Sequence, residues 1–204
     1  MFPEASELGD LKTESDVEHK VVWPLLTYAY PSGLGLAAPD VVTKLNIKRL
    51  EVGKGASRKL FYPDYIVVIA GLPVLVIEAK APSEDVQQGL HEARLYGNEL
   101  NSLFPQSINP CFRVLACNGF ELISCPIDTA EPDVRLAYAD LIPAHIGFAH
   151  LLHLCGRPAL QERADGLRSR LRQPTYQRPL AEVGGPSFQD DELPAKHLWR
   201  NHCW

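Results

Sequence analysis

The stretch Phe61 to Lys80 reads FYPDYIVVIAGLPVLVIEAK, two apolar, β-branched runs separated by Gly71-Leu72-Pro73. Strands this apolar are buried on both faces, and the break between them predicts a β-hairpin at the centre of the fold. Folding about Gly71 sets Ile66 opposite Val76, Val68 opposite Val74 and Asp64 opposite Glu78. Directly opposed side chains stand about 5 Å apart, where two carboxylates repel unless a cation compensates them. A hard divalent metal ion supplies that charge. The two-residue period of a strand puts Lys80 on the same face as Glu78, so an ammonium joins the pair.

A Pro-Asp step (Pro63-Asp64), an apolar hairpin and Glu78-Ala79-Lys80 together resemble the signature of the PD-(D/E)xK nucleases. The likeness is closer still to the N-terminal nuclease domain of type I restriction enzyme R subunits. It extends over TESDVEHKVVWPLL, EAKAP, EARLYGNELN and CNGFEL, roughly residues 12 to 140. The resemblance implies a restriction-endonuclease-like α/β fold, a mixed central sheet of four or five strands flanked by helices. It also implies Mg²⁺- or Mn²⁺-dependent hydrolysis of DNA in a restriction or phage-defence system. Asp64, Glu78 and the Ala79 carbonyl would hold the metal, with Lys80 as the catalytic cation. By register with the family pattern, Glu14 is a further catalytic acid. Gln88, Glu92 and Tyr96 fall on one helical stripe and would support the site. Related nucleases often carry Gln where this chain has Glu92, and a carboxylate there could bind metal, repel phosphate or pair with a nearby arginine. Motor, sensor or specificity functions would come from another chain or domain. The rival reading is a non-cleaving module that binds nucleic acid or protein.

The net charge of -5 argues against a broadly basic DNA-binding surface, but the charge is unevenly spread. Acid gathers near the N-terminus, whereas Lys48, Arg49, Lys54, Arg58 and Lys59 lead up to the hairpin. These five form either an approach for DNA phosphates or a solvated surface. No apolar stretch reaches the roughly 18 residues that span a bilayer, and the start MFPEASELGDLK lacks the order of a signal peptide. The expected location is cytoplasmic. Five cysteines without C-x-x-C spacing read as reduced thiols.

Thr13 precedes an amphipathic helix with Val17, Val21, Val22, Leu25 and Leu26 on its apolar side. Glu18, four residues after Glu14, reads as an acid favouring the helix dipole. Gly33 and Gly35 lack the strand that a dinucleotide site needs before its glycines, and Gly53 to Ser57 lacks phosphate-loop spacing; both read as turns. A strand is expected near Ile47 to Val52. Ser83 is the expected cap of a helix carrying Val86, Leu90, Ala93, Gly97, Leu100 and Leu103 on its apolar face, ended by Pro105. Asn118-Gly119 predicts a two-residue hairpin turn between two further strands. Ile142 to Cys155 reads as an apolar helix in which His150, His153 and Cys155 favour core packing over a metal site.

Residues 1–155 are read as one nuclease-like domain. Residues 156–204 follow as a short basic helix with Arg163, Arg168, Arg170 and Arg172, then a linker rich in Pro and Gly over 173–194 without apolar period.

Overall fold

Both strands of the hairpin form, and the sheet grows outward from them. The computed structural model describes residues 10–43, 51–52, 59–60, 62–105 and 108–171. Its strands in chain order are β1 (Val41–Thr43), β2 (Glu51–Val52), β3 (Lys59–Leu60), β4 (Tyr65–Ile69), β5 (Leu72–Ala79), β6 (Arg113–Cys117), β7 (Glu121–Pro126) and β8 (Val134–Ala137). Six strands make one open mixed sheet in the order β1-β4-β5-β6-β7-β8, and β2 pairs with β3 apart from it. Within the large sheet only β5 and β6 run parallel. This is the restriction-endonuclease-like α/β architecture, with six strands in place of the four or five expected. The short strands β1 and β8 offer too few residues to reveal a period of two.

The N-terminal helix is continuous but not uniform. Its parts are α1 (Glu14–Val17), a π-helical turn (Glu18–Val22) and α2 (Trp23–Thr27). Thr13 caps it reciprocally: its hydroxyl accepts from the Asp16 N–H, and the Asp16 carboxylate accepts from the Thr13 N–H. The other helices are α3 (Val86–Ser102), α4 (Ile146–Cys155) and α5 (Arg157–Leu171).

The sheet separates two apolar layers. On one face Ile66, Val76, Val114, Ala116 and Ile123 pack beneath Val86, Leu90, Ala93, Tyr96 and Leu100 of α3. On the other, Val67, Ile69, Leu75, Ile77 and Leu115 meet Val17, Val21, Leu25 and Leu26 of the N-terminal helix, with Phe148, Leu151 and Leu152 of α4. Helix α5 joins this second layer through Leu160, Ala164, Leu167 and Leu171, leaving its arginines on the outside. Covered on both faces, β5 is buried along its whole length.

The hairpin register departs from expectation at the turn end. Ile66 does face Val76, but Val68 faces Pro73 and not Val74, because a bulge lies between Val67 and Val68. The turn is Ala70-Gly71, both at positive φ (53° and 81°), so Leu72 and Pro73 belong to β5. Two positive φ values twist the backbone to match its flanking strands. Proline is tolerated in β5 because pairing with β6 begins only at Leu75, so Pro73 lies at a bulge with no partner from β6 to supply.

Two other boundaries move. Asp85, not Ser83, caps α3, its carboxylate accepting from the Gln87 N–H at 2.9 Å. Ser83 lies within the turn Ala81–Glu84, closed by the Glu84 N–H on the Ala81 carbonyl. The β6–β7 turn is centred on Gly119-Phe120: Asn118 pairs with Glu121, and Gly119 supplies φ +87°. Asn118 instead folds its Oδ1 back onto the N–H groups of Phe120 and Glu121.

The far end of α3 is fastened to the sheet by a side chain acting as a backbone. Buried Asn101 donates from Nδ2 to the Cys111 carbonyl at 2.8 Å and accepts the Cys111 N–H at Oδ1, 2.9 Å. Helix α4 begins at Ile146, and the turn before it occupies the earlier residues of the predicted span. The expected strand near Ile47 lies mostly outside the described residues; its last two residues are β2. Gly53 to Ser57 and the tail from 172 also lie outside them.

Candidate active site

The acidic residues collect at the open end of the β4–β5 hairpin. Extending the Tyr65–Ile77 pair by one residue brings Asp64 opposite Glu78. Oδ2 of Asp64 accepts a 2.7 Å hydrogen bond from the Ala79 N–H. In an extended strand the N–H and C=O of one residue point to the same side, which turns the Ala79 carbonyl toward Asp64 as well. Both carboxylates are withdrawn from solvent, Asp64 at 3% exposure and Glu78 at 5%.

Lys80 continues β5 by donating its N–H to the Cys117 carbonyl at 2.9 Å. Its side chain returns to the face of Glu78, where Nζ donates to Glu78 Oε1 at 3.2 Å and to Glu92 Oε2 at 2.7 Å. Glu92 stands on the second turn of α3, and Gln88 Nε2 donates to its other oxygen at 2.9 Å. Tyr96 is buried one turn further along the same stripe. The expected grouping of Gln88, Glu92 and Tyr96 above the hairpin is therefore realised, with Glu92 directed at Lys80.

The N-terminal helix adds two more acids. One carboxylate oxygen from each of Glu14, Glu18 and Asp64 lies within 4.8 Å of the others. Glu18 is 6% exposed, which a residue serving only the helix dipole has no reason to be. Glu18 opens the π-helical turn and is buried along with Val21 and Val22, three and four residues on. Tyr65 Oη donates to the Glu18 carbonyl at 3.3 Å and ties the helix to β4. The spacing of Glu14 and Glu18 was the visible signal, since residues four apart share a helix face.

Burial, and after it the charge of Asp64, pushes the Glu78 carboxyl up to about 9 against the opposing pull of Lys80. Burial also works against the Lys80 ammonium, but its hydrogen bond to Glu92 and the charge of Glu78 outweigh it and raise its pKa. For Glu92 the bonds from Lys80 and Gln88 overcome burial and hold the carboxyl low. Burial, with Glu78 and Glu92 nearby, raises Tyr96, which keeps its hydroxyl proton as a donor. Oε2 of Glu78 is buried and accepts no hydrogen bond among the described residues. A desolvated oxygen of this kind calls for a partner. Glu14, Glu18 and Asp64 bring carboxylate oxygens together in a set of the type hard divalent ions take, with Glu78 opposite Asp64 on the neighbouring strand.

Lys59 pairs with Val52 in the β2–β3 ribbon, and Lys48, Arg49, Lys54 and Arg58 lie outside the described residues. On α4, His150 and His153 face solvent while Cys155 is buried, so the three share no site. No described helix is long and apolar enough to cross a membrane.

Among known proteins, residues 41–126 match the family model described as type I restriction enzyme R protein N terminus. No curated protein and no solved structure matches the chain. The matched stretch opens on β1, closes with β7 and contains Asp64, Glu78, Lys80 and Glu92; Glu14 and Glu18 precede it. Over this sheet and the helix that crosses it, the chain matches the N-terminal domain of type I restriction enzyme R proteins, a family of the PD-(D/E)xK nuclease type.

Proposed function

We propose that the domain is a metal-dependent DNA endonuclease of a restriction or phage-defence system. One observation carries this reading: two buried carboxylates, Asp64 and Glu78, oppose each other at a strand end, with the Lys80 ammonium on the same face. Mg²⁺ or Mn²⁺ held by Asp64, Glu78 and the Ala79 carbonyl would polarise the scissile phosphate and acidify an attacking water. Glu14 and Glu18 add negative charge that favours such an ion. Lys80 sets a fixed positive charge where the phosphate gains negative charge in the transition state. Tyr96 keeps a hydroxyl proton available to a phosphate oxygen. Lys48, Arg49, Lys54, Arg58 and Lys59 would guide the DNA backbone to this end of the sheet. Motor, sensor or specificity subunits are the further partners, and the compartment is intracellular.

The test is incubation of supercoiled plasmid with Mg²⁺ or Mn²⁺, against EDTA and against Lys80→Ala. The expected result is nicking or linearisation by the wild type alone, with the circular dichroism spectrum of the variant unchanged. A second reading, a non-cleaving DNA-binding or protein-interaction module, draws on the engagement of Lys80 by two carboxylates. Intact plasmid under all metal conditions would decide for it.

A further inference from the structure

Lys80 has one ammonium and two carboxylate neighbours. Glu92 holds it at 2.7 Å and Glu78 at 3.2 Å, so the closer partner lies on the helix and not on the strand. Glu92 is itself fixed, its second oxygen accepting from Gln88 at 2.9 Å. Glu78, by contrast, keeps Oε2 buried and unbonded among the described residues. The positive charge is thus drawn toward α3, while Glu78 retains capacity for another cation.

Resting on the metal-dependent reading above, we propose that Glu92 is a positioning residue: it retains the Lys80 ammonium in the site when Glu78 turns to a divalent ion. Without a charge at position 92, Lys80 would be left with Glu78 Oε1 as its acceptor, and an ion arriving at Glu78 would compete with the ammonium for it. With Glu92 present the two cations divide between two carboxylates. Charge-assisted bonds are the stronger class of hydrogen bond, which is why a carboxylate at 92 can hold Lys80 alone.

The prediction is read on the ammonium itself, by ¹H–¹⁵N spectroscopy of lysine side chains in the full chain, with the Lys80 signal assigned by its loss in Lys80→Met. In the wild type this signal should be present without metal and should survive saturation with Mg²⁺. In Glu92→Gln, which keeps the shape and the contact with Gln88, it should be present without metal and vanish on saturation. Loss of the signal in the Mg²⁺-saturated wild type overturns the proposal, because Glu92 has then let Lys80 go or has itself become a ligand. Persistence of the signal in Mg²⁺-saturated Glu92→Gln overturns it too, because another group then holds the ammonium. A parallel thermal unfolding series in Mg²⁺ separates the two failures. If the wild type gains stability but the signals disobey, only the role of Glu92 falls; if it gains none, the metal site falls with it.

Discussion

Gly89 lies against the stem of Lys80: a Cβ on the glycine would stand 3.0 Å from Lys80 Cγ, 3.5 Å from Cε and 3.3 Å from the Ala116 Cβ. With no side chain in the way, Lys80 passes beneath α3 and reaches Glu92 three residues further along the helix. Gly89→Ala should disturb this passage. Alanine gains roughly 1 kcal/mol of helix propensity, while overpacking costs about 1–3 kcal/mol, so net stability should fall by no more than about 2 kcal/mol. Cleavage should fall by at least about tenfold, the effect of roughly 1.4 kcal/mol on a barrier. Plasmid assays beside thermal unfolding check this, and unimpaired cleavage would show that the close approach is only packing.

The raised Glu78 carboxyl makes stability depend on pH with a definite sign. Folded Glu78 holds its proton up to about 9, against 4.5 as the ordinary value, so between these the folded state binds a proton that the unfolded state has released. Metal-free stability should therefore decline as pH rises through that window. Glu78→Gln should flatten the slope. Because a cation displaces the same proton, the rise in Tm produced by Mg²⁺ should grow with pH. Melting curves in EDTA and in Mg²⁺ from pH 5 to 9 test both statements; a metal-free Tm that climbs across the range contradicts the assignment.

Asp64→Asn removes one of the opposed charges together with a metal ligand. Metal-free stability should hold or increase, since a buried charge that disfavours ionised Glu78 is removed while an Asn oxygen still accepts the Ala79 N–H. The Mg²⁺-induced gain, about 2.7 kcal/mol in the wild type at a hundredfold excess over Kd, should shrink. An unchanged metal response in this variant would exclude Asp64 as a ligand.

Asn101→Ala leaves the Cys111 N–H and C=O without their partner in a buried setting. Each unsatisfied group costs about 1–3 kcal/mol, so a loss of roughly 2–6 kcal/mol is expected, visible as a lower urea midpoint. A loss below about 1 kcal/mol would mean that water replaces the side chain.

Truncation distinguishes the packed helix from the tail. Ending the chain after Leu171 should leave the melting temperature unchanged, because 173–194 shows no apolar period. Ending it after Cys155 strips Leu160, Leu167 and Leu171 from the core, at roughly 1.5–3 kcal/mol for each leucine, and should unfold much of the population. Soluble, cooperatively melting 1–155 protein would show that α5 is an appendage.

The hairpin, the α3 stripe and the Asp64–Glu78–Lys80 set could be read in the sequence because each rests on a local period of two or of 3.6 residues. The bulge at Val67/Val68 could not, since tolerance of Pro73 depends on where β6 begins to pair. The burial of Glu18 was signalled only by its four-residue spacing from Glu14, a pattern that an acidic first turn serving the helix dipole leaves equally. The bond between Lys80 and Glu92 depends on how a helix crosses a sheet, a relation set by packing. In α5 the spacing of Leu160, Ala164, Leu167 and Leu171 marks an apolar face, but the arginines of the same helix give it a basic composition that masks that period.

The mixed strand order also arranges the site in time. Asp64 and Glu78 meet through a hairpin with a two-residue turn, the kind of element that closes within about 1–10 μs. Lys80 gains Glu92 only when α3 has folded back to let β6 lie parallel to β5, and Glu18 must close a much longer loop to reach Asp64. Non-local contacts of that kind come late. The hairpin thus brings Asp64 and Glu78 together, with Lys80 two residues along, before Glu92 can secure the ammonium.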